Sequence, residues 1–385
     1  MTVAAITVVC GSLPLFLVAA QAVQIRADLD FGHVALGATA GMFNGARALS
    51  SVPMGRLADR LGGRRAVALA LLITTVMCSA TALWATDHRF LLAMMGLAGI
   101  AQGLGTSSAT LLLTQRLPQR MLGWSVGIQQ AGVPAAALVA GLAAPAVALT
   151  VGWRWSFAFA GGVTLLAALV VGRGLAGRDA RTHRGSSLHR GGADHGPVLF
   201  VAIGVMFAAA ASFSLTTFIV DYAVSVGISV SASGSLLTIA AVLTVIARVV
   251  SGFYATKGRA DQLGTVVAML VVGTVGFVAL VADHLLLIAV GTGLAAAFCW
   301  SITGLVYSTV VQYNRNRPGA ATGIALMGTS LGGVAGPVAF GFIVEHWSYT
   351  GAWLVAAVWS AMSVGLMAVG RRRLVQGDLN RARCS

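Results

Sequence analysis

Twelve apolar runs, each long enough to cross a lipid bilayer, constrain this chain more than any motif in it. They fall at residues 1–23, 35–54, 66–85, 91–114, 121–149 and 155–172, and, after a polar stretch, at 197–219, 232–254, 263–282, 285–311, 320–344 and 352–369. About 20 predominantly apolar residues span the hydrocarbon core as a helix. Lipid offers the backbone no hydrogen bonds, so a helix that satisfies its own N–H and C=O groups is the conformation left to such segments. The period-two alternation of an outer-membrane barrel is absent. The runs predict an all-α integral membrane protein with twelve transmembrane helices in two six-helix bundles, 1–172 and 197–370. A cytoplasmic linker at 173–196 joins them, and a cytoplasmic tail follows at 371–385.

Charge narrows the function classes. Of 385 residues, 57% are hydrophobic and 9% charged, with mean hydropathy +0.87, whereas a soluble domain is about 25% charged. A globule in water needs more charge to cover its surface, which excludes a soluble enzyme, a nucleic-acid binder and a disordered chain. The balance is basic, 25 Lys+Arg against 11 Asp+Glu for a net +14, and Lys257 is the one lysine. With the N-terminus inside, the outer loops hold only Arg26, Arg89 and Arg154; Arg47 and Arg248 lie inside spans, and the remaining basic residues fall on inner segments. That bias predicts both termini in the cytoplasm and the cytoplasmic membrane as the location. Ala20-Gln21-Ala22 resembles a signal-cleavage site, but no basic residue precedes the apolar stretch, and cleavage would break the six-plus-six pattern. The first run is therefore expected to be retained. Cys10, Cys78, Cys299 and Cys384 are too scattered for a disulfide framework or a metal knuckle, and His183, His189 and His195 are six residues apart in the linker. Neither a metal nor a cofactor is expected.

The two halves overlay. Gly55 to Arg60 after the second run matches Gly252 to Lys257 after the eighth, an offset of 197; Gly127-Ile128 with Gly132 matches Gly323-Ile324 with Gly328 at 196; Trp155 matches Trp353 at 198. Duplicated bundles can rock about a shared site and expose it to each side in turn. A secondary transporter is the favoured class.

The loop Gly55-Arg56-Leu57-Ala58-Asp59-Arg60-Leu61-Gly62-Gly63-Arg64-Arg65 is similar to the signature between helices two and three of the major facilitator superfamily. The turn Gly152-Trp153-Arg154-Trp155, the central linker and the repeat offset fit that family too. The resemblance covers essentially the whole chain and implies a twelve-helix transporter of alternating access. Gly55 and Gly62 permit close approach and a tight turn. Asp59 is the one acid among Arg56, Arg60, Arg64 and Arg65, so an ion pair is expected there, and the resemblance implies a gate element at the cytoplasmic side. The plainer reading makes these arginines lipid anchors and topology signals. Thr256 stands at the Asp59 position of the second half, so the gate would be one-sided. Glycines at 123, 127, 132 and 141 and at 323, 328, 332, 333 and 336 let helices pack closely, and Pro134 and Pro337 are expected to bend theirs. Drug-exporting members carry Gly-Pro in helix five and an arginine in helix four. Here the corresponding residues are Gly132-Val133-Pro134 and Gly99.

Intramembrane polar groups are costly and mark function by default. The acids all lie in loops or at run ends. The candidates for solute binding are Asn44, Gln102, Gln129 and Gln130 as amides, and Trp300, which offers stacking area and one donor; the alternative is that these residues bridge and pack helices. Arg47 lies eight residues before Gly55, about 12 Å along the helix, beyond easy snorkelling, so it is expected to face water or an anion. Arg248, about 6 Å in from Gly252, reaches the interface or pairs structurally. Asp221 and Tyr222, ending the seventh run, are candidates for an outer gate or proton relay, against a merely solvated acid. No clustered nucleophile, acid pair or metal set suggests an enzyme. The sequence thus predicts a monomeric secondary transporter moving a small anionic or polar organic solute, with an ion gradient and protons as candidate driving partners. Efflux of an amphipathic compound, or a membrane receptor without transport, are the alternatives.

Overall fold

The computed structural model describes residues 2–116, 125, 128–173, 196–256, 261–282, 284–313 and 318–384. The linker interior 174–195 with its histidines, the loop holding Lys257 and Arg259, Arg315 with Arg317, and Gly123 with Gly127 lie outside them. Among the described residues the chain is helical throughout. The elements are α1 (Thr2–Ala20), α2 (Ala22–Leu29), α3 (His33–Leu61), α4 (Gly63–Trp84), α5 (His88–Arg116), α6 (Gly132–Ala143) with a π-helical turn at Ala144–Ala148, and α7 (Trp153–Arg173). There follow α8 (Gly196–Ser225), α9 (Val230–Thr256), α10 (Gln262–Ala279), α11 (Leu285–Cys299), α12 (Ile302–Tyr313), α13 (Pro318–His346) and α14 (Tyr349–Cys384).

Among the described residues, eleven helical stretches are long and apolar enough to cross a membrane, among them α1, α11 running into α12, and α6 with its π turn. The helix α3, 29 residues rich in glycine, alanine and serine, occupies the place of the second span. The twelve expected spans are thus accounted for, three of them interrupted. The first breaks at Gln21, which leaves helical geometry at φ −116° and ψ 21°. The fifth turns at Ala131, the last residue before Gly132. Pro134, lacking an N–H, cannot donate to the preceding turn there. The tenth breaks at Trp300-Ser301, between α11 and α12.

Two helices run further at their C-terminal ends than their apolar content suggests. The first span continues past Val23 to Leu29, where Asp30 adopts the left-handed conformation at φ 47° and closes it. The seventh continues past Ile219 to Ser225 and closes on Gly227 at φ 88°, with the Ile228 N–H bonding the Ala223 carbonyl at 2.9 Å. Asp221 therefore sits inside a helix.

The chain divides into two compact units, Met1–Gly185 with Thr216–Val242, and Ser186–Leu215 with Leu243–Ser385. In the first, α3 lies on α5 through Gly99, where a Cβ would come within 2.2 Å of the Phe43 carbonyl oxygen. There α6 meets α1 at Gly132, whose Cβ would lie 3.0 Å from the Ala5 carbonyl, and α4 meets α7 through Thr75 and Thr164 hydroxyls 2.9 Å apart. In the second unit, α13 meets α8 at Gly328, whose Cβ would lie 2.2 Å from the Ala202 carbonyl, and α10 meets α14 through Thr274 and Ser360 hydroxyls 2.7 Å apart. Ala5 and Ala202 are 197 residues apart, and Gly132 and Gly328 are 196 apart. The sequence repeat is a repeat of contacts. On the outside, side chains such as Val170 (67% exposed) and Leu166 (64%) match lipid; a surface of this kind in water would be an association hazard.

Candidate functional site

Polar groups in the first unit gather at its α2 end. Arg26 on α2 donates from Nη1 to both oxygens of Asp221 on α8, at 2.8 and 2.6 Å, and from Nε to the Phe31 carbonyl at 3.2 Å. The His33 Nε2 lies 3.2 Å from the same carboxylate. Asp221 is 6% exposed and Arg26 20%, so the pair is largely out of water. Among the described residues Asp221 is the one buried acid. The alternative of a solvated acid at a loop edge is corrected here, because the continuing helix carries the carboxylate inward. Tyr222 beside it is fully buried.

Two residues further along α2, Asp28 accepts from Trp153 Nε1 at 3.1 Å and from Arg154 Nη1 at 2.5 Å. Arg154 also donates to the Ala85 carbonyl at 2.8 Å and lies 4.5 Å over the Trp153 ring. The Gly152-Trp153-Arg154 turn, with Gly152 at φ 100°, thus fastens α2 to the ends of α4 and α7. The sequence placed Arg26 and Asp28 only as outer-loop charges, and their partners lie far away in the chain.

Of the predicted amides, Gln129 is satisfied: its Nε2 donates to the Thr106 carbonyl and to the Thr110 hydroxyl, both at 3.1 Å, bridging the fifth span to α5. Gln102 donates to Ser12 Oγ at 2.7 Å and packs against Gly11, where a Cβ would be 2.0 Å from Oε1. Its Oε1 and the Oδ1 of fully buried Asn44 have no partner among the described residues; Asn44 donates only to Ala40 in its own helix. Gln130 and Arg47 are both half-buried. The signal that finds Gln21 and Gln24 is structural: their amide atoms are buried at the break between α1 and α2 with no hydrogen-bond partner among the described residues.

In the second unit, Arg248 on α9 donates from Nη2 to the Trp300 carbonyl at 3.1 Å, and Ser301 Oγ donates to the Thr244 carbonyl at 3.2 Å. The break in the tenth span is therefore braced by α9. Trp300 is 7% exposed and stands edge-on to Phe213, centroids 6.0 Å apart. The arginine reaches along the helix layer to a carbonyl that the break has freed from its helical partner.

The loop between α3 and α4 is a turn of one residue. Gly62 takes φ 83°, and Gly63 opens α4 against Leu112, 2.9 Å from where its Cβ would be. The Gly55 Cβ position is open apart from Ser107 Oγ at 4.0 Å. Arg56, Asp59 and Arg60 are exposed, and among the described residues Asp59 has no ion pair. The expected pair at Asp59 is thus corrected; exposed partners gain little from pairing in water. Arg64 is half-buried on α4. Among the described residues no three His, Cys, Asp or Glu side chains come together as a metal set.

Comparison with known proteins agrees with this architecture. No curated protein matches the sequence significantly. Two solved structures superpose over nearly the whole chain. Both are of a bacterial homologue to the human lysosomal transporter Spinster, one inward-facing and occupied (TM-score 0.76, 17% identity, 96% of each chain covered), the other inward-facing and unoccupied (TM-score 0.77, 16% identity, 97% of each). At such identity the likeness concerns the fold. The family model described as Major Facilitator Superfamily matches residues 2–312 and 201–381, so the chain belongs to the major facilitator superfamily of membrane transporters.

Proposed function

We propose that this transporter moves a small anionic or polar organic solute across the cytoplasmic membrane, both termini inside, by alternating access driven by an ion gradient. The observation that carries the reading is Arg248. Its guanidinium lies within a membrane-length helix against the Trp300 carbonyl at the interrupted tenth span, where Trp300 adds an apolar wall. An arginine at that depth is costly unless it serves a substrate or a partner. A guanidinium is the planar, always-charged donor that matches an oxyanion, which is the chemistry this reading assigns to Arg248. In the first unit the unpartnered Asn44 and Gln102 oxygens supply acceptors for a polar solute.

The gates support the same reading. In this reading the Arg26–Asp221 ion pair is the outer one. The α3–α4 loop with Gly55, Arg56, Asp59, Arg60, Gly62 and Arg64 forms the inner one, with Asp59 unpaired among the described residues. Asp221, with His33 at 3.2 Å, is this reading's candidate for a proton relay once its bond to Arg26 is broken.

Counterflow in proteoliposomes tests the reading. Vesicles loaded with unlabelled lactate, succinate, malate or gluconate should draw in the labelled form of at least one of them, and Arg248→Gln should lower that uptake about tenfold or more, the loss of one charge-assisted contact. Exchange of amphipathic cations in place of any acid, or full activity in Arg248→Gln, would overturn it.

A further inference from the structure

We propose that the interrupted tenth span is a site for an aromatic acid, in which Trp300 and Phe213 take the ring of a solute whose carboxylate is drawn to Arg248. The inference rests on the proposed function for the carboxylate and adds the rest of the molecule that carries it.

All three residues belong to the second unit, and direct contacts join them. Arg248 donates from Nη2 to the Trp300 carbonyl at 3.1 Å, and the Trp300 indole stands at 67° to the Phe213 ring with centroids 6.0 Å apart. The guanidinium is thus held on the main chain of the very residue whose side chain forms the wall. Ser301 Oγ, donating to the Thr244 carbonyl at 3.2 Å, ties the next residue to α9 as well, so charge and ring keep one spacing.

The two rings differ from those that only fill the core. In the same unit Trp353 is packed between Phe277 and Phe340, with centroids 6.4 and 4.7 Å away, and is 0% exposed. Trp300 and Phe213 keep 7% and 6% of their surface accessible. Their chain neighbours are small: Phe213 follows Ala208-Ala209-Ala210-Ala211-Ser212, and Trp300 comes three residues after Ala295-Ala296-Ala297. Runs of small residues let membrane helices approach closely. Two rings set at the end of such runs build flat apolar surface beside a charge.

The chemistry of the ligand follows. Aromatic walls also suit ammonium ions, but a guanidinium beside the wall repels a cation. A neutral apolar compound would gain nothing from the guanidinium. The spans of the second unit contain no acidic residue, so nothing within them repels a carboxylate. A planar ring bearing a carboxylate answers both parts, and aromatic rings attract one another beyond what their area provides. The length is set by Trp300 itself, whose Cα and Cβ separate its carbonyl carbon from its indole. A ligand with two saturated carbons between carboxylate and ring, its carboxylate at the same guanidinium, lays that ring alongside the indole. The solute class is an acid of the phenyllactate type.

Counterflow in proteoliposomes with the full-length protein tests this with three acids, lactate, phenyllactate and its saturated counterpart cyclohexyllactate, uptake by protein-free vesicles being subtracted. The wild type should favour phenyllactate over lactate about tenfold or more, the gain from burying a phenyl group. It should favour phenyllactate over cyclohexyllactate about threefold or more. Phe213→Leu should bring the second ratio close to one, and Trp300→Leu should lower both ratios, whereas Trp300→Phe should stay nearer to the parent. Arg248→Gln should lower uptake of lactate and phenyllactate alike. Equal wild-type uptake of lactate and phenyllactate, or of phenyllactate and cyclohexyllactate, overturns the ring site; the proposed function stands if lactate exchange still depends on Arg248. Ratios unchanged in Phe213→Leu and Trp300→Leu likewise overturn it, and Phe213→Leu alone decides if Trp300→Leu fails to fold. Uptake of no acid by the wild type, or undiminished uptake in Arg248→Gln, refutes the proposed function and the ring site with it.

Discussion

Replacing Asp221 by asparagine should unlock the outer side of the transporter, and the size of the effect can be worked from the contacts. The carboxylate accepts two bonds from one guanidinium nitrogen of Arg26, at 2.8 and 2.6 Å, and has His33 at 3.2 Å. Both bonds leave the same nitrogen, so they count as one charge-assisted interaction, which contributes about 1.5–3 kcal/mol. Arg26 keeps 20% of its surface in contact with solvent, and partial screening places the value near the middle, about 2 kcal/mol. Asparagine retains the volume and one acceptor but not the charge. If the pair exists only with the outer side closed, losing it shifts the ratio of closed to open by roughly thirtyfold. The probe is a cysteine at Ala22, which is fully buried at present, in a protein whose native cysteines are replaced by serine. Its rate of labelling by a membrane-impermeant maleimide should rise roughly thirtyfold in Asp221→Asn, the factor just derived from the latch. The charge-swapped pair Arg26→Asp with Asp221→Arg should recover most of the protection. A labelling rate within about twofold of the parent, a change too small for a latch of this strength, would refute the reasoning. So would a swap no better protected than the single variant.

Two further perturbations follow from the packing. Gly99→Ala should lower the thermal midpoint and the monodisperse yield in detergent, at a cost of about 1–3 kcal/mol for overpacking, because the new Cβ would meet the Phe43 carbonyl; Gly162→Ala, in open space on α7, should be neutral or slightly stabilising, and equal losses in the two would contradict the close α3–α5 contact. Arg154→Ala should cost under about 1 kcal/mol in thermal stability, since its pair with Asp28 is about two-fifths exposed, while raising Ala22→Cys labelling by loosening α2; unchanged labelling would separate the Asp28 fastening from the outer gate.

Much of this architecture is legible in the chain itself, and the limits have identifiable causes. Membrane spans declare themselves because lipid demands unbroken apolarity, and the duplicated halves declare themselves because Gly132 and Gly328 each press on a carbonyl of the helix 197 residues apart in the repeat, Ala5 and Ala202. Helix ends are less legible. Apolarity stops at Val23 and Ile219, but hydrogen bonding runs on to Asp30 and Gly227, the first residues with positive φ. That difference turned Asp221 from a loop-edge acid into a buried one. Its partner Arg26 lies 195 residues away, a separation at which no local pattern operates. The interruption at Gln21 has no sequence mark either, since neither glycine nor proline stands there, and Gln129, legible as a candidate for solute, spends both amide atoms on α5.

The two fastenings of α2 are unequal in a way that suits a switch. Asp28 and Arg154 are 42% and 40% exposed, whereas Asp221 is 6% exposed. A pair in water gains little and changes little when more water arrives. A pair held out of water draws its strength from the low dielectric around it, and the same two charges attract several times more weakly once hydrated. The first water molecules to reach Asp221 therefore weaken the bond that excludes them, and the next enter more easily. Closure runs the other way, each expelled water strengthening the pair. Such positive feedback gives two stable positions instead of a continuum, as packed interfaces do. The break at Gln21 supplies the second requirement, a point at which α2 can move without unwinding α1. The Asp28 fastening supplies the third, because it is weak enough to follow α2 in both positions while preserving its attachment to α4 and α7.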